Sequence, residues 1–166
     1  CCLIIDTRQA IVVLLDLLEI TNLPPDISTG AVVQDRAGMI AGMTPTLDTE
    51  TYIFCALPPS GADQHIILNA LAMFREAEGI SLILQLDKAI SLDLTMTQPP
   101  MSRITLEVYS SLEGVGLTAA VSTALADKGI ACNMVAALHH DHVFVPHDRA
   151  NEAMDILRAL QTSALR

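Results

Sequence analysis

Hydrophobic and polar positions alternate most regularly in residues 103–109, which read RITLEVY. Ile104, Leu106 and Val108 fall on one side of an extended chain, and the charged and hydroxyl side chains between them fall on the other. This pattern predicts a β-strand with one face in the core. A loop that contains Gly114 and Gly116 follows the strand.

After that loop, the spacing of the apolar positions changes to that of a helix. Apolar side chains recur over residues 117–125, and Lys128 and Gly129 are typical of a helix C-terminus. Residues 131–138 predict a second strand and residues 142–145 a third. The polar residues between these two strands predict a turn, so the strands should form a hairpin.

The last predicted helix begins at Asp148, a residue type that favours the N-cap position. One apolar face of this helix is formed by Ala150, Ala153, Met154, Leu157 and Leu160. The predicted order of elements in the C-terminal part of the chain is therefore β-α-β-β-α.

The preceding part of the chain shows a similar but weaker order. Residues 35–43 predict a short helix, and residues 51–57 (TYIFCAL) predict a strand. Residues 66–74 are apolar and are ambiguous between helix and strand. Residues 80–86 predict a buried strand that pairs with the end of the ambiguous stretch, and residues 87–92 predict a helical turn.

Two proline-containing breaks divide the chain into three parts. Pro24-Pro25 begins a predicted linker, and Gln98-Pro99-Pro100 marks a predicted domain boundary. We therefore expect an N-terminal extension at residues 1–29, a first unit at 30–98 and a second at 99–166.

The extension contains a run of apolar residues at positions 11–18. Asp16 interrupts the run and Glu19 follows it closely, and a membrane-spanning helix needs ~20 apolar residues. We expect an amphipathic helix here, or a stretch that does not belong to the folded unit.

The formal net charge of −10 argues against partners that are themselves negatively charged. The nine lysines and arginines are scattered, and a phosphate-binding surface needs them clustered. The sequence therefore predicts no nucleic-acid partner. It also lacks a basic amphipathic stretch, so we expect no membrane partner.

The four cysteines form no CxxC pair. Cys55 and Cys132 lie within apolar segments, where a free thiol behaves as a small hydrophobic side chain. We expect them to be reduced and buried, which is consistent with a cytoplasmic protein.

Several segments resemble a known family. The chain is similar, from about residue 44 to residue 160, to small bacterial proteins that carry two tandem ACT-like units. It is also similar to the ACT pairs of aspartokinases and of the animal cytosolic arginine sensors. The resemblance rests on LEGVGLTAAV (112–121), KGIACNMV (128–135), HHDHVFVP (139–146), TYIFCAL (51–57) and FREAEGI (74–80).

The resemblance implies an α+β fold of two ferredoxin-like (βαββαβ, ACT-type) units packed side by side. It also implies an allosteric, homodimeric protein in which a small effector, commonly an amino acid, binds at the interface of two units. The last predicted helix ends near Leu160, so a final strand of the second unit is absent or is supplied by the other unit.

The loop between the first strand and the first helix of the second unit is the candidate ligand site. Backbone N–H groups at a helix N-terminus favour an anion such as a carboxylate, and glycines allow a ligand to approach the backbone. The spacing alone favours a simple tight turn, whereas the resemblance favours ligand binding. The candidate residues are Ser111, Leu112, Glu113, Gly114, Val115, Gly116, Leu117 and Thr118.

Two other features bear on the site. Asn133 comes early in the next strand and is a further candidate ligand contact. The run His139-His140-Asp141-His142 contains residue types that bind metal. Neighbouring strand residues point to opposite faces, so His139 and His140 are poorly placed to share an ion. We expect a polar hairpin tip and no metal.

The favoured function is a non-catalytic regulatory protein that binds a small molecule, without a cofactor. The sequence lacks GxGxxG and GxSxG motifs, so neither a dinucleotide site nor a nucleophile elbow is predicted. Two alternatives remain: a ligand-independent module for oligomerisation, and a metal-dependent enzyme that uses the histidines of residues 139–142.

Overall fold

The computed structural model describes residues 32–58 and 64–165 of the chain. The predicted N-terminal extension and its amphipathic helix lie outside the described residues. Within them, six antiparallel strands form one sheet in the order β2-β3-β1-β4-β6-β5. The strands are β1 (Pro45–Leu57), β2 (Ala72–Arg75), β3 (Ile80–Gln85), β4 (Met101–Leu106), β5 (Asn133–Ala136) and β6 (Asp141–Pro146).

Five α-helices accompany the sheet in the described residues, and a 3₁₀ turn at His147–Arg149 precedes the last of them. The helices are α1 (Arg36–Gly42), α2 (Gln64–Leu68), α3 (Leu86–Ser91), α4 (Leu117–Ala126) and α5 (Ala150–Ala164). The predicted α+β class is thereby confirmed.

The sheet consists of two similar halves. Each half runs β-α-β-β-α along the chain, from β1 to α3 and from β4 to α5, and in each the first strand lies next to the third. In a ferredoxin-like unit a fourth strand would lie on the other side of the first strand. Among the described strands, β1 and β4 occupy that place for each other. This confirms two units side by side, with the first strand of each next to the first strand of the other.

The second half has the larger core. In β4 the alternation predicted from the sequence holds, because Ile104 and Leu106 are fully buried on the face that the helices cover. Opposite Ile104 in the register lies Val143 of β6. The helices contribute Val121, Leu125, Ala153, Met154 and Leu157.

Helix α1 belongs to this core although it precedes β1 in the chain. Asp35 caps the helix by accepting a hydrogen bond from the Gly38 N–H at 2.7 Å. Met39 and Met43 are buried among the residues of the second-half core, and α1 packs on α4 and α5. The expected boundary between residues 98 and 99 stays a prediction, but the residues before β1 contribute side chains to the C-terminal core.

The face of the sheet opposite the helices carries a second apolar cluster, which we call the open-face cluster. It consists of Tyr52, Ile83, Met101 and Phe144, all buried. The ring of Phe144 stands nearly perpendicular to that of Tyr52, with centroids 5.7 Å apart. Residues from both halves meet in this cluster, so it joins them on the side of the sheet opposite the described helices.

The pairing of β1 with β4 contains an irregularity. Leu47 pairs with Ile104 and Thr51 with Ser102, so three residues of β1 stand opposite Arg103 alone. Such a bulge turns its side chains out of the regular alternation. Asp48, the first residue of the bulge, thereby reaches across to the second half.

Asp48 is the common acceptor in a group of hydrogen bonds where β1 pairs with β4. Its carboxylate accepts hydrogen bonds from the Arg103 guanidinium, the Tyr52 hydroxyl (2.7 Å) and the Glu50 N–H (3.0 Å). Arg103 also lies over the Tyr52 ring, 5.1 Å from its centroid. Burial by itself would raise the pKa of Asp48, but these hydrogen bonds outweigh it, so that the pKa lies below its ordinary value of 3.8.

Burial also raises the pKa of Tyr52, to about 12, with a further contribution from its hydrogen bond to Asp48. The tyrosine therefore remains a donor throughout the physiological range. The group at the bulge consequently holds its hydrogen bonds with Asp48 ionised and Tyr52 protonated.

Some local predictions are confirmed and others are wrong. The ambiguous residues 66–74 divide between α2 and β2, because the chain turns at residues 69–71. Gly129 adopts a left-handed φ of +66° after α4, as predicted for a helix end. The prediction of Asp148 as a cap is wrong, since the 3₁₀ turn includes it and α5 begins without a side-chain cap.

We predict that Arg103→Met destabilises the fold by about 1–3 kcal/mol, because it leaves the mostly buried carboxylate of Asp48 without its charged partner. Urea denaturation measures the loss. Arg158→Met is the control, since among the described residues Arg158 pairs with Asp155 alone, at 3.9 Å on the surface, and should cost less than about 0.5 kcal/mol. Equal losses in the two variants would contradict a structural role for the bulge.

The lowered pKa of Asp48 also predicts a pH dependence. A carboxyl whose folded pKa is depressed stabilises the fold above its unfolded pKa, and this contribution is lost as pH falls through the folded value. The stability difference between the parent protein and Asp48→Asn should therefore be constant at neutral pH and shrink below about 3.8. Denaturation midpoints measured from pH 7 to pH 3 test this, and an unchanged difference across that range would contradict it.

Candidate ligand site at the loop after strand β4

The loop predicted as the site follows β4 and is braced by the segment that precedes α1. The Val33 N–H donates to the Tyr109 carbonyl at 2.9 Å, and the Ser111 N–H donates to the Val33 carbonyl at 3.1 Å. These two bonds form a short parallel bridge between distant parts of the chain. The position of the loop therefore depends on residues nearly eighty positions upstream.

Ser111 closes a turn inside the loop. Its carbonyl accepts a hydrogen bond from the Gly114 N–H at 2.8 Å, and its hydroxyl accepts one from the Glu113 N–H at 3.1 Å. These polar groups of Ser111 are therefore already engaged, and Glu113 points away into solvent as an exposed residue.

Gly116 then leads the chain into α4 with a φ of +108°, which side chains disfavour. A Cβ at this position would lie 2.9 Å from Cδ of Arg36. Glycine is thus favoured here by the backbone angle, and any side chain at this position would also have to displace that of Arg36.

Helix α4 begins without a side-chain cap. The first N–H groups of a helix have no partner within the helix, and together with the helix dipole they favour an anion. The amides of Leu117 and Thr118 are therefore donors available to a ligand. Thr118 is exposed and Leu117 is buried in the core below.

A cavity of about 70 Å³ opens at this helix end. Its walls are formed by Met39, Ser110, Ser111, Leu112, Gly114, Leu117, Thr118, Ala136 and Asp141. Asp141 is 8 % exposed, and among the described residues no side chain or backbone N–H donates a hydrogen bond to its carboxylate. Burial raises the pKa of Asp141, and His140 partly opposes this effect.

The structure brings together only part of the predicted set. Ser111, Leu112, Gly114, Leu117 and Thr118 line one cavity. Val115 is 80 % exposed and lies outside that cavity.

Asn133 lies elsewhere. It stands opposite Phe144 on the open face and lines another cavity, together with Phe54 and Met101. A side chain on the face away from the helices does not line the loop cavity, so Asn133 is not grouped with the other candidates.

The histidines of the hairpin also separate. His139 and His140 lie against Tyr109, with ring centroids 6.3 and 5.3 Å away, whereas Nδ1 of His142 lies 3.1 Å from the Thr105 hydroxyl. Burial is the largest cause that lowers the pKa of His142, and the nearby charges of Arg103 and His140 lower it further. In the described part of the chain, no three His, Cys, Asp or Glu side chains are grouped so that they could hold a metal ion.

Sequence reasoning did not single out Asp141, Met39 or Arg36 for this site. Asp141 belongs to the conspicuous polar run at the hairpin, but nothing in the run distinguishes the one buried carboxylate. Met39 and Arg36 come from α1, which reaches the loop only through tertiary packing.

The architecture is that of an α+β protein with two ferredoxin-like units in one continuous sheet and a glycine loop at the start of a helix. Two family models match the chain, both described as ACT domains, at residues 33–100 and 102–159. The chain belongs to the ACT-domain family and carries two ACT domains in tandem.

Solved structures agree with this assignment. A Vibrio cholerae protein of unknown function, described as a possible transport protein, is 37% identical, with a TM-score of 0.67 over 75% of this chain and 94% of that one. An Agrobacterium tumefaciens protein is 17% identical, with a TM-score of 0.60 over 72% of this chain and 89% of that one.

The regulatory subunit of aspartate kinase from Thermus flavus is similar in fold, with 10% identity and a TM-score of 0.51 over 72% of this chain and 98% of that one. No curated protein matches the sequence. Among the described residues, none of the helices has the length and apolar character needed to cross a membrane.

We predict that Gly116→Ala costs about 1–3 kcal/mol of stability, because alanine is strained at this φ and its Cβ meets Arg36. Thermal and urea denaturation measure the loss. Gly129→Ala is the matched control: it also has a positive φ, of +66°, but a Cβ there meets nothing within 4 Å, so the loss should be smaller. If Arg36→Ala restores part of the stability lost in Gly116→Ala, the contact with Arg36 contributes to that loss. Losses of equal size in Gly116→Ala and Gly129→Ala would contradict the prediction.

Proposed function

We propose that this protein is a non-catalytic regulatory protein that binds a free α-amino acid at the cavity beside the N-terminus of α4. The observation that carries the proposal is the presence of Asp141 in the same small cavity as the uncapped start of the helix. The two groups have opposite charge preferences, and an α-amino acid presents both matching charges on groups attached to one carbon atom.

Each group favours one end of such a ligand. The open amides of Leu117 and Thr118, at the positive end of the helix dipole, favour the α-carboxylate. The carboxylate of Asp141 favours the α-ammonium group, and burial strengthens a charge-assisted hydrogen bond. A phosphate ligand is disfavoured, because the same carboxylate would repel it.

The size of the cavity sets how the ligand would lie. About 70 Å³ suffices for the charged end of an amino acid and not for a large side chain. The ligand's side chain would therefore extend over the rim, where Leu112 and Val115 are exposed. An apolar rim of this kind is also suited to contact with a second copy of the chain, so the proposal includes a homodimer.

The proposal that the protein is non-catalytic rests on the burial of Ser102, whose hydroxyl pairs with His147. The Ser102 hydroxyl lies 2.8 Å from Nδ1 of His147, which resembles a nucleophile and its base. Ser102, however, is only 3 % exposed and faces the helix-covered core between β1 and β6, so a substrate has no access to it.

Similar proteins support a regulatory role, and the proposal places that role in the cytoplasm. Structural relatives include regulatory subunits of aspartate kinases, which share the fold of this chain. Two ACT domains account for the described residues without an enzyme domain. The ligand would then act by stabilising one arrangement of the units or of the dimer.

The test is a thermal-shift screen of the twenty amino acids at millimolar concentration. A ligand at ~100 times its Kd stabilises the folded state by about 2.7 kcal/mol, which raises Tm by ~5–10 °C for a chain of this length. Asp141→Asn should abolish the shift, since asparagine keeps the shape and loses the charge. The control Asp155→Asn, an exposed residue of α5, should leave the shift unchanged.

A shift with no amino acid, or a shift retained in Asp141→Asn, would overturn the proposal. Sizing with and without ligand then tests the alternative of a ligand-independent oligomerisation module. That alternative predicts an oligomer whose size and stability do not respond to any amino acid.

The pH dependence of binding supplies a further prediction. Protonation of Asp141 removes the charge that attracts the ammonium group, and burial places its pKa above the ordinary 3.8. Affinity should therefore fall as pH is lowered toward Asp141's raised pKa, while both charges of the amino acid itself stay constant. Calorimetric titration from pH 7 down to pH 4 measures the change, and an affinity that stays constant over that range would argue against Asp141 as the ammonium partner.

A further inference from the structure

We propose that the open face of the sheet holds a second ligand site, beside Phe54, for an uncharged and largely apolar small molecule that carries a hydrogen-bonding group. This inference does not depend on the amino-acid site, because it concerns the opposite face of the sheet and other residues.

Two cavities meet at Phe54. One, of about 240 Å³, also touches Phe74, Ile83 and Thr97, and the other, of about 360 Å³, touches Pro99 and Asn133. The segment that joins α3 to β4 thus runs along the open face and lines both cavities. The larger volume falls within the ~300–1,000 Å³ typical of small-molecule sites.

The floor of these cavities is packed in the manner of a protein interior. An antiparallel sheet with helices on one side commonly has a solvated polar face on the other. Here Tyr52, Ile83 and Phe144 are buried on that face. Phe54 stands edge-on to Phe144, with centroids 5.4 Å apart, so its ring is held by a buried neighbour.

The walls are also held in place. The Pro100 carbonyl accepts a hydrogen bond from the His147 N–H at 3.2 Å, and the side chain of His147 bonds to Ser102 of β4. These bonds hold the C-terminal end of the segment 97–99 against the sheet, because Pro100 directly follows it. Pro99 and Pro146, both in the wall of the larger cavity, restrict the backbone further. A site formed in advance loses less entropy when a ligand binds.

The chemistry of the lining defines the ligand. No charged side chain lines either cavity in the part of the chain that the structure describes, although the protein carries a net charge of −10. An ion would lose its hydration there without gaining a counter-charge. The amides of Asn133 and Gln98 can donate and accept, so they would fix the polar group of an otherwise apolar molecule.

The probe for the test is N-phenyl-1-naphthylamine, an uncharged fluorophore of suitable size. The chain contains no tryptophan, so protein emission interferes little. We expect saturable binding with one probe per chain and displacement by the uncharged aromatic molecule indole. The sulfonated analogue 1-anilinonaphthalene-8-sulfonate should bind at least tenfold more weakly, because its charge has no partner in the site.

Asn133→Trp should fill the larger cavity and weaken probe binding at least tenfold. Asn133 is exposed on an edge strand, so the fold should tolerate the change. Asn151→Trp is the matched control, since Asn151 is also exposed but lies on α5, on the other side of the sheet. If Asn133→Trp fails to fold, Ala131→Phe fills the same cavity from an exposed loop position.

Equal probe affinity in the cavity-filling and control variants would overturn the proposal, as would binding that does not saturate. The other molecule that could occupy this face is a second copy of the chain. Measuring the size of the protein at each probe concentration tests for it. Probe binding that occurs only as a dimer dissociates would show that the face is an interface, and the small-molecule site would be rejected. None of these outcomes depends on whether amino acids bind at Asp141.

Discussion

The direct pairing of β1 with β4 is the interaction on which the rest of the described structure depends. In the described residues each half supplies three strands, so without this pairing the first strand of each would be an edge of that sheet with unpaired backbone groups. The bulge at Asp48 and its bonds to Arg103 and Tyr52 hold the two strands in one register. Two incomplete units thus form a single six-stranded sheet with one helix-covered face.

That arrangement places two different chemical environments on the two faces. On the helix side, β4 leads into a loop where the uncapped start of α4 and the carboxylate of Asp141 share a small polar cavity. On the open side, Phe54 and the segment after α3 line apolar cavities, and none of the described residues in their walls is charged. The two proposed sites therefore differ in ligand class for a physical reason, namely the presence or absence of buried charge.

Much of the fold could be predicted because its signals are local. The alternation around Ile104 and the left-handed glycine at Gly129 each involve a few neighbouring residues, and both are observed. Residues 66–74 were ambiguous because apolar runs of that length suit either a helix or a strand until their neighbours are known. Asp148 has the chemistry of a cap, yet the 3₁₀ turn after Pro146 includes it, and α5 begins two residues later.

By itself, the sequence determined the class of fold and the two-unit order, and it predicted a loop that favours a carboxylate, since periodicity, glycines and helix ends act over short stretches. Only the tertiary structure decided which side chains share a cavity. It joined Met39 and Asp141 to the loop and placed Asn133 on the other face, because strand register and the packing of α1 operate over long separations along the chain. The buried charge of Asp141, which distinguishes the candidate site from a simple turn, is a property of that packing alone.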